Sequence, residues 1–465
     1  MIDLLGQRVL KKGLISKDEL AKAYERQRLL GGKIGSNLIA LGLITESDLT
    51  NFFKFTPHEP SNVSETNIET GFITDLILKH CIFLKKFTIE HLTDKIKLPP
   101  SVILNIITDL RKDGFIEIAK GGTLLITSQY AMTDSGINRA SQLLDECRYV
   151  GPAPVSLEDY KYAIGIQTIK SIEITKEDLN NAFSNIVVSE DKIKTYGSAI
   201  NSAKPIFLYG PPGNGKTTIA ECIGHSLPGE VYVPYSVLAG NQIIVVYDQV
   251  NHIAVDSKEA DNQLDQRWIK IKRPVVIAGG ELTLKILDLN FNPNSKYYEA
   301  PLQMKANNGL FIVDDFGRQI VDPQTLLNRW IIPLDRQTDF LTLHTGMKFA
   351  IPFDQLVIFA TNLPPKEIAD DAFLRRLKYK IKMDYTTVEE FRKIFENICI
   401  SNRISFNEDV FNYLIEKYER SQRKLACCHP RDLIDQIIDF ASFNMKPAVL
   451  TNESIDKAWE YYFVY

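Results

Sequence analysis

The spacing of hydrophobic positions changes repeatedly along this chain, and each change marks an element. At the amino-terminal end Leu4-Leu5-Gly6-x-x-Val9-Leu10-x-x-Gly13-Leu14-Ile15-x-x-x-x-Leu20, closing in Tyr24-x-x-Gln27, recurs as Lys33-Ile34-Gly35-x-x-Leu38-Ile39-x-x-Gly42-Leu43-Ile44-x-x-x-x-Leu49. Each copy predicts a helix, a glycine C-cap and a second helix capped by Ser16 or Thr45, with Glu19 or Asp48 at the third helical position. Thr88 to Ile96 and Ser101 to Leu110 carry helical spacing on either side of the break Leu98-Pro99-Pro100, which predicts a helix-turn-helix. Phe115 to Ile118 and Leu124 to Ile126 follow as the short strands of a wing. The pattern then turns to unbroken apolar runs, Pro205 to Leu208, Leu310 to Val313 and Leu356 to Ala360, which predict buried strands. Glu230 to Val233 and Arg273 to Ala278 read as two more strands, and Leu341 to Pro352 alternates like a hairpin.

Composition adds the frame. With 465 residues, 45% hydrophobic and 24% charged, the chain is an ordinary globular mixture, long enough for about three domains. Six scattered cysteines form neither a CxxC pair nor a zinc spacing with histidine, which points to a reducing cytoplasm. No apolar run approaches about 18 residues, so neither a signal peptide nor a spanning helix is expected, and any membrane role would run through partners. A formal charge of −4 gives no global attraction to nucleic acid and favours protein partners.

The chemistry concentrates in the second half. Tyr209-Gly210-Pro211-Pro212-Gly213-Asn214-Gly215-Lys216-Thr217-Thr218 lies between an apolar strand and a helix-forming segment, the context a phosphate-binding loop requires. Glycines let backbone N–H groups close around phosphates, Lys216 supplies a point charge for the β/γ-phosphates, and the Thr217 hydroxyl can ligate Mg²⁺. Asp314 and Asp315 end a buried strand, Asp314 placed for the Mg²⁺ shell and Asp315 to orient or deprotonate water. The strand ending in Thr361-Asn362 presents the Asn362 amide beside the γ-phosphate. Arg375 and Arg376 offer guanidiniums on a short surface helix, and Arg431 opens a helix in the last domain.

In this order the signals resemble the AAA+ ATPases over roughly residues 155–465. The resemblance implies Gly210 to Thr218 as Walker A, Asp314-Asp315 as Walker B, Asn362 as sensor 1, Arg376 or Arg375 as the arginine finger and Arg431 as sensor 2, with ATP and Mg²⁺ as ligands. One departure stands out: the family usually ends Walker B in Asp-Glu, and Asp315 is one methylene shorter. The stretch between the two Walker motifs exceeds a minimal core. Its turn-rich segment Leu289 to Tyr298 offers Tyr297 and Tyr298 either as pore-loop aromatics or as cover for a small satellite core. The hairpin before sensor 1 looks like the pre-sensor hairpin of MoxR-like branches, with His344 at its surface.

The amino-terminal repeat resembles the first domain of type II secretion and pilus-assembly ATPases, which in some members binds cyclic di-GMP. Here Leu4 and Lys33 stand where that pattern opens each copy with arginine, and Thr56 replaces the closing glutamine, leaving a docking module as the stronger reading. Residues 66–148 look like a winged helix. From Glu65 to Arg148 there are ten Lys/Arg and eleven Asp/Glu, which favours protein over DNA as its partner.

The expected architecture is therefore α/β: residues 1–57 a helical repeat domain, 66–150 a winged-helix domain, 151–190 a linker, 191–384 an AAA+ parallel-sheet nucleotide-binding core and 385–465 a helical lid. The expected function is a cytoplasmic, ring-forming, hexameric ATPase that remodels a protein target. A DNA-acting ATPase or regulator and a nucleotide switch controlled by cyclic di-GMP are the alternatives.

Overall fold

The computed structural model describes residues 6, 9–10, 13–45, 48, 55–122, 124–255, 264–368 and 371–463. In the first unit the helices Lys17–Leu30 and Ile34–Ala40 pack over a small core in which the two sequence copies contribute matching positions, Val9 with Leu38 and Ile15 with Ile44. The capping expectations hold. Ser16 and Glu19 form a reciprocal capping box, Thr45 and Asp48 exchange the same pair of bonds, and Gly13 and Gly42 take positive φ where only glycine is comfortable. Leu4 and Leu49 lie outside the described residues.

Residues 70–146 form four helices, Thr70–Leu84, Ile89–Ile96, Pro100–Lys112 and Asp134–Glu146, on a three-stranded antiparallel sheet with Gln129–Met132 between Lys86–Phe87 and Ile116–Lys120. The two helices flank the break at Leu98-Pro99 as the sequence predicts, and the second opens on Pro100, where the missing N–H costs no hydrogen bond. Leu124 to Ile126, expected as a strand, instead enter a short turn, Leu125–Thr127. The Thr127 hydroxyl accepts from the Leu124 N–H at 3.2 Å, and the Tyr130 hydroxyl donates to the Leu125 carbonyl at 2.7 Å. These local bonds compete with a ladder and shift the strand to Gln129–Met132.

Five parallel strands make the central sheet: β1 (Ile206–Tyr209), β2 (Val275–Ala278), β3 (Leu310–Val313), β4 (Leu356–Thr361) and β5 (Tyr379–Lys382), in spatial order β2-β3-β4-β1-β5. Strands β1, β3 and β4 are unbroken apolar runs because both faces are covered, one by Ile219, Ile223 and Tyr196 and the other by Leu327, Trp330 and Phe373. This is an α/β core built on a parallel sheet covered on both faces. The loop from Gly210 to Gly215 leaves the carboxyl end of β1, whose neighbours β4 and β5 belong to different crossovers, so it opens at a topological switch point.

A second layer of β structure is carried by the long inter-motif stretch, the hairpin and the short strand Val155–Ser156. It contains a mixed five-stranded sheet, the ladder of Glu230–Pro234 with Trp268–Lys272, and the hairpin Thr338–Thr342 with Lys348–Pro352. Tyr298 is 1% exposed in this layer, its hydroxyl paired with His344, and Tyr297 stacks edge-on against Tyr149. Tyr298 thus belongs to the core of this layer and Tyr297 packs against the core of the preceding unit, so neither is presented as a pore-loop aromatic. Residues 151–190, read from the sequence as a linker, carry the helices Leu157–Ile166 and Lys176–Ala182, with Tyr160 and Leu179 buried. Four helices close the chain, Val388–Ser401, Glu408–Arg420, His429–Phe443 and Asn452–Tyr462, around Phe391, Leu414, Leu433 and Trp459.

Candidate functional site

The strand-to-helix turn after β1 needs its glycines for separate reasons. Gly210 has φ 145°, and a Cβ there would lie 2.1 Å from the Met383 carbonyl oxygen. Gly215, at φ 75°, ends the loop as the N-cap of the helix Lys216–His225, without a side-chain cap, and the free first N–H groups of a helix favour an anion. Lys216 is held at the centre: its ammonium donates to the carbonyls of Gly210 at 3.0 Å and Pro211 at 2.9 Å. Burial pushes its pKa below the ordinary lysine value, while Asp315 and Asp314 act in the opposite direction.

On the facing strand, β3 delivers two carboxylates with different surroundings. Thr217 donates its hydroxyl to both oxygens of Asp314, at 3.0 and 2.9 Å, so the helix start and the end of β3 meet through one hydroxyl and one carboxylate. Such hard oxygen donors suit Mg²⁺, which when bound with a nucleotide would neutralise phosphate charge. Asp315 takes φ 46°, a left-handed conformation that costs energy for a residue with a Cβ. The turn is fixed from three sides: the Asp314 N–H donates to Ala278 of β2 at 2.9 Å, the Phe316 N–H to Ala360 of β4 at 2.7 Å, and the Gln319 amide to the Asp314 carbonyl at 2.8 Å. Held this way, the Asp315 carboxylate accepts a 3.2 Å bond from the side-chain amide of Asn362, at the end of β4. A carboxylate and an amide so disposed can orient a water molecule.

These groups line one cavity of about 600 Å³. Pro212, Gly213, Asn214, Gly215, Lys216, Thr217, Thr218, Asp314, Asp315, Asn362 and Arg431 all reach it, whereas Gly210 and Pro211 act from behind by fixing Lys216. Arg375 and Arg376 are not brought to this cavity. Arg376 instead donates through Nε to Asp335 at 2.9 Å on the helix Pro323–Arg336, and Arg375 is exposed.

Several wall residues carry no motif and escape sequence reasoning. Ile186, Val187 and Val188 line the cavity together with Ile394 and Ile398 of the helix Val388–Ser401, and Arg318 lines it three residues beyond Asp315. The one available signal was the apolar triplet Ile186-Val187-Val188 just before the Ser189 helix cap.

Residues 387–461 match a family model described as a domain of unknown function, DUF8689, and thus coincide with the four terminal helices. Among curated proteins the chain is similar to the type IV pilus assembly ATPase PilB of Myxococcus xanthus (strain DK1622), 28% identical over 194 residues, covering 38% of this chain. The match spans 29% of PilB, less than a third of that relative's length. Among solved structures the chain is similar to the Thermotoga maritima RuvB Holliday junction branch migration motor, 15% identical with a TM-score of 0.32 over 63% of this chain and 72% of that one. Domain III of the Thermotoga maritima replication initiation protein DnaA is 14% identical, with a TM-score of 0.36 over 61% of this chain and 97% of that one.

Proposed function

We propose that this chain is a Mg²⁺-dependent AAA+ ATPase that works as a ring, a hexamer, and remodels a protein target. The observation that carries the reading is the meeting of Thr217 with Asp314 and of Asn362 with Asp315 around the cavity that also receives Lys216. In this reading the loop N–H groups and Lys216 bind the phosphates, Thr217 and Asp314 hold the metal, and Asp315 and Asn362 orient the attacking water. Arg431 reaches the phosphates of its own subunit, and Arg376 or Arg375 acts on a neighbour's. The hairpin Thr338–Thr342 with Lys348–Pro352, placed directly before β4, supports a MoxR-like branch.

The two amino-terminal units serve as recognition modules, residues 66–150 being read as a winged helix. Its second helix exposes Ser101, Asn105, Asp109 and Lys112, a face of mixed charge, and its wing exposes Ile118, Leu124, Leu125 and Ile126. Such a surface suits a protein more than a phosphate backbone. Cytoplasmic residence follows the six cysteines, all unpaired, and no helix among the described residues is long and apolar enough to cross a membrane. The deciding experiment measures ATP hydrolysis and particle mass together. Mg²⁺-dependent turnover in a multimer supports the proposal, and a monomer without turnover sinks it. Stimulation of that turnover by DNA would favour the nucleic-acid alternative.

A further inference from the structure

The lid touches the phosphate-binding loop through its own backbone. The Cys428 N–H donates to the Gly213 carbonyl at 2.9 Å, and the Cys427 N–H donates to Oδ1 of Asn214 at 3.2 Å. The seat is tight: a Cβ at Gly213 would lie 2.5 Å from the Cys428 sulfur. Behind it, the Cys428 sulfur meets the Tyr462 hydroxyl at 3.7 Å, and Tyr462 donates to Asp432 at 2.5 Å, so the seat is tied to the last helix of the lid.

Asn214 is 2% exposed, and only half of its amide is used. Oδ1 holds the lid, while Nδ2 is buried without a hydrogen-bond partner among the described residues. A buried donor without an acceptor is costly, so this arrangement favours any state of the loop that supplies one. Phosphate oxygens and reoriented loop carbonyls are both acceptors.

We propose that Asn214 is a positioning residue that couples phosphate occupancy of the loop to the seating of the lid, one end of its amide answering to the loop and the other holding Cys427. The proposal rests on the nucleotide-binding reading of the loop. Because the same lid carries Ile394, Ile398 and Arg431 into the cavity wall, a change at Asn214 is passed to that wall without any intervening element.

The test is amide hydrogen exchange resolved at Cys427 and Cys428 in the full-length protein, without nucleotide and with saturating Mg-ATPγS. In the native protein, nucleotide slows exchange at both amides. In Asn214→Ala the Cys427 amide exchanges roughly five- to tenfold faster, as loss of one hydrogen bond implies, and no longer responds to nucleotide. Asn214→Asp, which keeps the acceptor, keeps slow exchange in the nucleotide-free state. Native-rate exchange in Asn214→Ala, equally fast exchange in Asn214→Asp, or an undiminished nucleotide response in Asn214→Ala would each overturn the coupling. Binding of a fluorescent ATP analogue, measured on the same samples, separates this failure from that of the loop itself: a native protein that binds no analogue removes the nucleotide reading.

Discussion

The side-chain amide of Asn362 donates to the Asp315 carboxylate across 3.2 Å, joining the ends of two adjacent strands, β3 and β4, at the edge of the cavity. Asp315 reaches this contact from a left-handed backbone conformation that its turn enforces. The shorter acidic side chain is thus set by the fold in contact with the amide that shares its proposed task.

Removing the loop ammonium should abolish nucleotide binding. In Lys216→Ala the carbonyls of Gly210 and Pro211 lose their donor and the β/γ-phosphates lose their point charge. Equilibrium binding of a fluorescent ATP analogue is the measurement, and undiminished affinity would refute the assignment of the loop.

The two carboxylates should separate in function. Asp315→Asn is expected to bind ATP and lose turnover, whereas Asp314→Asn additionally shifts the Mg²⁺ dependence to higher concentration, because Asp314 is the partner of Thr217. Steady-state hydrolysis across a Mg²⁺ series distinguishes them. Parental turnover in Asp315→Asn would place water activation elsewhere.

Arg376→Ala should keep ATP binding and cut turnover by about 10³-fold or more, the range an arginine acting in trans supplies. In the isolated subunit Arg376 is paired with Asp335, away from its own cavity. Mixing Arg376→Ala with Lys216→Ala subunits checks the geometry: partial recovery of activity is expected, and none at all, in a strictly monomeric protein, would remove the ring.

Cyclic di-GMP should bind weakly or not at all. Lys33, at the position where the resembling pattern places arginine, donates its ammonium to the Ile172 carbonyl, and Ser36 beside it bonds Glu173, so this corner of the repeat is committed to the rest of the chain. A point charge also lacks the planar fork that arginine offers. Calorimetric titration of the full-length protein decides it, and micromolar or tighter binding would make the repeat a second-messenger site.

Lys33 should also leave a signature in the pH dependence of stability. Burial pulls its pKa from 10.5 down to about 8, with Glu173 opposing. Between those values the unfolded chain holds a proton that the folded chain has released, so the Lys33 contribution to stability rises with pH across that window. Urea midpoints of the native protein should therefore increase relative to Lys33→Met from about pH 8 to pH 10.5. A difference that stays flat would mean that Lys33 titrates as an ordinary surface lysine.

Local pattern alone determined a large part of this protein. The glycine-rich turn from Gly210 to Gly215, the strands β1, β3 and β4, the capping boxes at Ser16 and Thr45 and the break at Pro99 are set by neighbouring residues, whose spacing carries the physical constraint directly. The tertiary structure decided what these pieces do together. Thr217 and Asp314 are 97 residues apart, and Asn214 and Cys427 are 213 apart. Bringing them into hydrogen-bond range is the work of the parallel sheet and the lid packing, which no local period encodes. The same holds for Tyr298, which in a turn-rich segment reads equally as an exposed or a covering aromatic. Only the sheet packed around it, with His344 at its hydroxyl, makes it core.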